Sequence, residues 1–303
     1  MRVGVSLTSA HQNEDVREAA RWMIERTAVA REAGLDSIFI GDHHSTPAPY
    51  YQNVPMLARM LAEWGDKPAG CLFLLPLWNP VLLAEQVGTL AAIHQGKFIM
   101  QCALGSDPRQ FAAMGANIKH RPSAFEEALD AIRRLWAGEV VSTSRRFSIE
   151  RARIAPRPPE PVEVWIGGSA EAPIDRAARL GDAWLAGPEL SPEDAGRWAD
   201  YYVQACHVHE KEPSAVAIRR DIYVGESAEE AAAVANPILD AGYRGFDPDA
   251  CIFGSIDQVA AKFREYAALG YTDVIIRHLT DDQEKVLGSM KRLKEVRQAV
   301  AGA

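Results

Sequence analysis

The chain lacks the features that mark membrane-bound and disulfide-stabilised proteins. No apolar run among its 303 residues approaches the length of a membrane span, and its first residues hold too short an apolar run for a secretory signal peptide. Its 4 cysteines lie far apart, without a CxxC pair. We therefore expect a cytoplasmic protein with no membrane attachment, whose thiols are reduced and buried.

Charge is not concentrated in any part of the chain. The 41 acidic and 33 basic residues give a net charge of −8 and are mixed along the sequence. No basic stripe with interleaved aromatic residues occurs, which argues against a nucleic-acid partner. The acidic balance favours solubility and indicates little else.

Common nucleotide and metal motifs are also missing. The sequence contains no GxGxxG or GxxxxGK loop and no HExxH frame. Metal-ligating residue types do occur at Asp42, His43 and His44 and in the run Cys206–His209, but that run falls in a helical pattern on the polar outside of the fold. We expect no metal site, which leaves a metal-dependent hydrolase or aldolase barrel as a less favoured alternative.

Short apolar runs alternate with longer helical patterns from end to end. Continuous apolar runs are typical of parallel strands covered by helices. The runs predicted to be strands are Val3–Leu7, Ser37–Ile40, Cys71–Leu75, Phe98–Leu104, Val162–Ile166, Ala183–Ala186, Ile218–Val224 and Asp273–Arg277. They predict one α/β domain over residues 1–303, a closed (β/α)8 TIM barrel. An open, doubly wound sheet is the structural alternative, although it usually carries an early glycine-rich loop.

Helix boundary signals support the same alternation. Ser255 and Gln258 have the spacing of a capping box, in which each residue satisfies a free backbone N–H group of the other. Gly34, Gly181 and Gly270 each close a helical pattern just before a predicted strand, as a C-terminal glycine does. The sequence therefore repeats one helix–glycine–strand unit.

Two segments interrupt this repeat. Residues Glu139 to Arg157 are predicted to form a hairpin or excursion, and Tyr243 to Gly254 form a loop with glycine and aromatic residues. Insertions at the carboxyl-end face of a barrel commonly cover the substrate, so we predict insertion loops at that face. A surface loop without function is the alternative reading of each.

Several ordered motifs resemble the bacterial luciferase-like flavin-dependent monooxygenase superfamily. One is the acidic-His-His signature at the end of the second strand. The segments that carry the resemblance are Phe39–His44, Leu75–Gln86, Phe111–Gly115 with Arg121, Glu126 and Leu135-Trp136 downstream, Trp165–Ser169 with Arg176–Trp184, Gly254–Val259 and Asp273–Arg277. Together they cover nearly the whole chain in the family's order.

The resemblance implies a TIM barrel that uses a reduced flavin and acts on a small-molecule substrate. The leading expectation is a monooxygenase that uses reduced FMN and oxygen on a small organic substrate. A deazaflavin-dependent hydride-transfer enzyme and a non-catalytic flavin-binding protein are the alternatives. The family is usually dimeric and is often supplied by a separate flavin reductase. The loop at Gly105 lacks the arginine that luciferase itself places there, so light emission is not implied.

The resemblance also implies where the cofactor binds. Gly167, Gly168 and Ser169 follow a strand and open a helix, so their backbone donors and the serine hydroxyl form an expected seat for the flavin phosphate. Arg121 and Gly105 are the other expected cofactor-binding residues. The alternatives are that Ser169 is only a helix N-cap and that Arg121 is a solvated arginine at a helix start.

His43 is the predicted catalytic residue. It lies just beyond a strand's carboxyl end, and imidazole exchanges protons near neutral pH. Adjacent residues of an extended chain point in opposite directions, so we expect only one of His43 and His44 to reach the cavity. Asp42 either orients the imidazole or caps the following loop. The alternative is a structural role, in which both histidines lie in a loop and pack against the barrel mouth.

Two further expectations concern side chains whose role the sequence leaves open. Arg277 and His278 end the eighth strand and face either the ligand or the surface. A set of aromatic residues lines a pocket or fills the core: Tyr50, Trp78, Trp165, Trp184 and Phe253.

In the luciferase-like family, the helices corresponding to Val54–Ala62 and Val81–Ile93 pair two subunits, and both are rich in small and apolar residues here. We therefore predict a homodimer.

Overall fold

Eight parallel strands close into a barrel in the computed structural model, which describes residues 1–12 and 15–301. The strands are β1 (Arg2–Leu7), β2 (Ser37–Ile40), β3 (Ala69–Leu74), β4 (Phe98–Ala103), β5 (Val141–Thr143), β6 (Ile149–Ala152), β7 (Glu163–Gly167), β8 (Ala183–Ala186), β9 (Ala215–Val224), β10 (Ile252–Gly254) and β11 (Asp273–His278). The barrel runs in the order β1–β2–β3–β4–β7–β8–β9–β11, and β11 pairs again with β1. This closure confirms the TIM barrel and excludes the open, doubly wound sheet.

Helices follow the strands and form the outer layer. Their bounds are α1 (Val16–Glu32), α2 (Asn53–Trp64), α3 (Pro80–Ile93), α4 (Pro108–Ala113), α5 (Arg121–Trp136), α6 (Glu171–Leu180), α7 (Pro192–Val208), α8 (Ala228–Asp240), α9 (Ile256–Ala268) and α10 (Gln283–Ala301). The capping box predicted at Ser255 and Gln258 is present at the start of α9. No helix within the described ranges is long and apolar enough to cross a membrane.

The centre of the barrel is filled by aromatic and small apolar side chains. Phe39 and Trp165 contact each other there, with ring centroids 5.5 Å apart. Gly70 makes this packing possible, because a Cβ atom at that position would lie 1.9 Å from the carbonyl oxygen of Ile99 on the neighbouring strand. Trp165 and Trp184 are both buried, so these two aromatic residues belong to the core.

Ion pairs occupy the amino-terminal mouth of the barrel. Arg2 and Asp273 form two hydrogen bonds of 2.7 Å each, and Lys97 pairs with the buried carboxylate of Glu163. These side chains occupy the space at the start of the strands, where a cavity of only about 40 Å³ is left. The larger opening is therefore at the carboxyl ends.

The two predicted insertions have different positions. Strands β5 and β6 form an antiparallel hairpin, as predicted, which packs on α5: Glu127 accepts hydrogen bonds from the backbone of Arg146 and Phe147 at 3.1 and 3.3 Å. The hairpin does not line the large cavity. The segment after α8 does, through Tyr243 and Arg244. Its last residues form β10, which pairs in parallel with β9, so the prediction of a loop up to Gly254 was wrong there.

Candidate active site

A cavity of about 520 Å³ lies at the carboxyl ends of the barrel strands. Its wall is formed by residues at or after the ends of β1, β2 and β11, by single residues from β3, β9 and α4, and by two residues from the segment after α8. The side chains with polar or ionisable groups that carry the argument below are Asp42, His43, Tyr50, Gln110, Arg219, Tyr243, Arg244, Arg277 and His278.

The position of the proton on His43 follows from its neighbour Gln110. The Oε1 atom of Gln110 accepts a hydrogen bond of 3.1 Å from the backbone N–H of His44, a group that only donates. The amide nitrogen of Gln110 therefore faces His43, with Nε2 at 3.0 Å from Nδ1. Because the amide NH2 group also only donates, Nδ1 of neutral His43 accepts and the ring proton lies on Nε2.

His43 and Tyr50 form a pair of neutral donors on the cavity wall. Burial lowers the pKa of His43 below its ordinary value, and the charges of Arg277 and Arg244 act in the same direction. The two rings meet edge to face, with centroids 5.3 Å apart. Burial raises the pKa of Tyr50 to about 12, so its hydroxyl is protonated at neutral pH. Of the predicted aromatic lining residues, Tyr50 is the one at this cavity.

Asp42 does not orient His43, so that reading of the sequence was wrong. Its Oδ2 atom accepts hydrogen bonds from the backbone N–H of Leu74 at 2.8 Å and from Nε1 of Trp78 at 2.9 Å. Its Oδ1 atom lies 3.2 Å from Nε2 of His44. Asp42 therefore ties the end of β2 to the end of β3. His44 lies beside Asp42 and outside the cavity lining, so His43 is the one histidine of the pair that lines the cavity.

Another part of the wall is cationic. Arg219 binds Asp221 through two parallel hydrogen bonds of 2.9 and 2.8 Å, and the Tyr243 hydroxyl donates to the same carboxylate at 2.7 Å. Burial acts to raise the pKa of Asp221, but Arg219 outweighs it and the pKa is lowered, so the carboxylate is ionised. Arg277 donates to the hydroxyl of Ser6 at 3.0 Å. Burial and the charge of Arg219 lower the pKa of Arg277 to about 10.

His278 also lies at the cavity wall, although only 5% of its surface is exposed. Its Nε2 atom has no hydrogen-bond partner among the described residues. Burial, together with the charge of Arg26, lowers the pKa of His278 to about 3. The structure thus places both Arg277 and His278 at the cavity and neither on the outer surface.

The expected phosphate seat lies at the start of α6. Ala170, and not Ser169, is the N-cap residue, and it provides no side-chain cap. The Ser169 hydroxyl instead accepts a hydrogen bond of 3.2 Å from the N–H of Gly187, which leaves its own proton free to donate. The N-cap alternative for Ser169 was therefore wrong. The carboxylate of Glu171 begins the same helix and opposes an anion there, so binding depends on the hydroxyl and the backbone donors.

Gly168 shapes this turn, because a Cβ atom there would lie 2.4 Å from Cβ of Pro173. Gly105 lies two residues after the neighbouring strand β4 and adopts a left-handed backbone, with φ of 71°. Arg121 opens α5, and its guanidinium forms no hydrogen bond or ion pair with another described residue. These cofactor candidates share the carboxyl-end face with His43, but none of them lines the 520 Å³ cavity.

The sequence interpretation missed Gln110, Arg219, Asp221, Tyr243 and Arg244. Arg219 and Asp221 carried a detectable signal, because charged residues two apart in an apolar strand put their side chains on one face, here the barrel interior. Gln110 carried no signal, since its contact with His43 joins positions 67 residues apart. Within the described ranges, no group of three or more His, Cys, Asp or Glu side chains is arranged to hold a metal ion.

Comparison with known proteins gives one family. The model of the luciferase-like monooxygenases matches residues 1–250. Among curated proteins, an F420-dependent glucose-6-phosphate dehydrogenase of Intrasporangium calvum is 28% identical over 177 residues, a match that covers 54% of this chain and 53% of that protein. The chain thus spans about half the length of the curated relatives it matches.

Solved structures show the same fold. A monooxygenase from Streptomyces bottropensis superposes with a TM-score of 0.84 at 19% identity and covers 97% of this chain and 98% of its own. The oxygenating constituent of 3,6-diketocamphane monooxygenase from Pseudomonas putida, in complex with FMN, superposes with a TM-score of 0.78 at 16% identity and covers 97% of both chains. At these identities the similarity establishes the barrel alone.

Proposed function

Because the chain belongs to the luciferase-like monooxygenase family, we propose that it is a flavin-dependent oxidoreductase that acts on a small organic substrate. The leading candidate reaction is monooxygenation with reduced FMN and oxygen. The observation that carries the proposal is the geometry of His43, whose Nε2 proton is held in place by Gln110 at the wall of the cavity. A proton donor at the carboxyl end of a barrel strand is typical of a catalytic position.

The residues present fit a flavin. The cavity of about 520 Å³ lies in the size range of cofactor sites. At the start of α6 the backbone N–H groups of Ala170, Glu171 and Ala172 donate to no other described residue, and the Ser169 hydroxyl has a free proton. Ser169 and these backbone groups, with Arg121, are the residues that would hold the phosphate. A bound reduced flavin supplies two electrons, to oxygen in the FMN reaction or as hydride in the deazaflavin reaction.

The chain's own residues supply proton control and shelter. His43 presents its Nε2–H as a hydrogen-bond donor to the reacting group, while Gln110 fixes the ring by its contact with Nδ1. Tyr50 packs on His43 and keeps its hydroxyl protonated. The filled barrel centre below them restricts the entry of water from the opposite mouth.

A deazaflavin-dependent hydride transfer is the second candidate. It is favoured by the sequence match to proteins named F420-dependent glucose-6-phosphate dehydrogenase. The geometry of His43 and of the expected phosphate seat is compatible with either reaction. A flavin reductase as partner belongs to the FMN candidate, which takes up a reduced cofactor.

The test is a titration of the purified protein with oxidised FMN, reduced FMN and reduced deazaflavin, followed by absorbance and fluorescence. Saturable binding of one reduced cofactor is expected, and preference between the two reduced forms decides between the candidates. In stopped flow with that cofactor, His43→Ala should change its reoxidation or hydride-transfer rate by about 10²–10⁴ while its affinity stays close to wild type. Binding without any effect of His43→Ala would favour a non-catalytic flavin-binding protein, and no binding at all would remove the proposal.

A further inference from the structure

Two arginine side chains at the cavity have no carboxylate partner among the residues that the structure describes. Within the described ranges Arg277 donates only to Ser6, from Nη2 to the hydroxyl at 3.0 Å and from Nε to the carbonyl oxygen at 3.4 Å. Arg244 stacks over the ring of Phe246, with its Cζ atom 5.1 Å from the centroid, and forms no ion pair with another described residue. A guanidinium has five donor hydrogens, so most donors of both groups are unused.

The third arginine, Arg219, holds this arrangement in place. Its charge is neutralised by the bidentate contact with Asp221, and the Tyr243 hydroxyl donates to the same carboxylate. The ion pair therefore anchors Tyr243, the residue that precedes Arg244 in the chain. With Arg219 and Asp221 neutralising each other, the positive charges of Arg277 and Arg244 are left uncompensated on this part of the wall.

The other two carboxylates that line the cavity, Asp42 and Asp281, lie beside groups other than Arg277 and Arg244. Asp42 is bound by the backbone of Leu74 and by Trp78. Asp281 lies beside Arg26, which donates to its carbonyl oxygen at 3.0 Å and is stabilised in its charged form by the Asp281 carboxylate. Neither aspartate lies within ion-pair distance of Arg277 or Arg244. Among the described residues, the charges of Arg277 and Arg244 are therefore not paired with either of these cavity aspartates.

The backbone at Arg244 supports a role for this side chain. Its φ is 52°, a left-handed conformation that is costly for a residue with a long side chain, and it lies between two left-handed glycines, Gly242 and Gly245. Glycine would adopt this conformation without strain. A strained arginine at a cavity wall is the kind of outlier that marks a ligand contact.

We propose that Arg277 and Arg244 form an oxyanion subsite that binds the carboxylate or phosphate group of the substrate beside His43. Guanidinium groups bind both anions through paired, charge-assisted hydrogen bonds. His43 and Tyr50, as neutral donors on the same wall, then face the uncharged part of the bound molecule. This proposal rests on the proposed function in one respect, because it calls the bound anion a substrate. The arrangement of the arginines itself does not depend on a flavin.

A phosphate at this subsite has two sources, the substrate and the cofactor itself. Calorimetric titration distinguishes these two sources. The protein is titrated with inorganic phosphate, and separately with acetate, at constant ionic strength, both with and without saturating FMN. For a substrate subsite, phosphate binds equally well to both forms. Displacement of phosphate by FMN but not by riboflavin would show that the cofactor phosphate occupies the arginines, which would overturn the proposal.

Two variants and one control complete the experiment. Arg277→Met and Arg244→Gly should each weaken phosphate binding by about tenfold or more while FMN affinity stays at the wild-type value. Arg244→Gly suits the left-handed backbone, so it remains informative if Arg277→Met fails to fold. Arg197→Met, on the exposed side of α7, is the matched control and should bind phosphate normally. Wild-type phosphate binding in both variants would refute the subsite. Arginine-dependent phosphate binding without any flavin binding would instead refute the proposed function alone.

Discussion

At the scale of single residues, the protonation of His43 is decided by one amide. Gln110 uses its oxygen on the N–H of His44 and its NH2 group on Nδ1 of His43, so the neutral ring has only one compatible tautomer. The same contact opposes the doubly protonated ring, because two donors would then face each other. The chemistry of the site thus depends on Gln110, which lies in the short helix α4 and not in a barrel strand.

Gln110→Glu should invert this arrangement. A carboxylate accepts from both the His44 N–H and Nδ1–H, so it should move the His43 proton to Nδ1 and raise the pKa of His43. Turnover at neutral pH should fall roughly 10- to 100-fold, because Nε2 of the neutral ring no longer donates. Nitrogen-15 NMR of the imidazole reports the tautomer directly. Gln95→Glu, at an exposed position, is the control, and an unchanged tautomer in Gln110→Glu would contradict the assignment.

His278 should make stability depend on pH. Its pKa is about 3 in the folded chain and about 6.5 when unfolded, so between these values only the unfolded state binds the proton. The stabilisation is complete above pH 6.5 and is lost as pH falls toward 3. As the pH falls from about 7.5 to about 5, protonation of His278 in the unfolded state should lower the free energy of unfolding by about 2 kcal/mol. Urea unfolding at both pH values should show that loss reduced in His278→Gln but not in the exposed control His207→Gln.

At the scale of elements, the turn from β7 into α6 is built to leave its donors free. Ala170 provides no cap, and the Ser169 oxygen is held by the N–H of Gly187. Most other helices of the barrel whose first residues are described begin differently: Asn79 caps α3, Ser191 caps α7 and Ser255 caps α9. An uncapped helix start at the carboxyl-end face is an anion-binding feature when a hydroxyl donor lies beside it.

Ser169→Leu and Arg121→Ala should each weaken FMN binding without unfolding the barrel. The loss expected for a charge-assisted hydrogen bond is about 1.5–3 kcal/mol, and it should vanish when riboflavin, which has no phosphate, replaces FMN. Fluorescence titration with both ligands measures this difference. Should the two variants bind FMN as tightly as wild type, the phosphate seat lies elsewhere on the face.

At the scale of the whole molecule, α3 exposes two large apolar side chains, with the polar residues Gln86 and Thr89 between them. Leu82 and Ile93 are 47% and 52% exposed, and their separation of eleven residues, about three turns, puts them on one face of the helix. Two exposed apolar side chains on one helix face support the predicted homodimer, which would bury them.

The double variant Leu82→Glu, Ile93→Glu should shift the protein from two chains to one in light scattering at micromolar concentration. Charged side chains at these two positions would be buried unpaired in a dimer through α3, which is unfavourable. Val208→Glu, at the exposed end of α7, is the control and should leave the mass unchanged. A wild-type protein that is already monomeric at this concentration would contradict the dimer.

The sequence by itself determined the barrel. All eight predicted barrel strands are present, with ends displaced by at most three residues, as in Ala215–Val224 for the predicted Ile218–Val224. Strand and helix periodicities and glycine helix ends are local properties, so the sequence displays them directly. The short strand Ile252–Gly254 was missed because three residues carry too little pattern, and its pairing with β9 is a long-range contact.

Only the tertiary structure decided how the site is composed. Closure of the barrel brings β11 beside β1, which sets Arg277 against Ser6 across 271 positions of the chain. The same closure decides that His43 meets Gln110 while Asp42 turns to β3. Hydrogen-bond partners depend on the direction of side chains in space, and the spacing of residues in the chain does not record that direction. The sequence therefore located His43 at the cavity, whereas the partners that fix its proton followed from the packed strand ends.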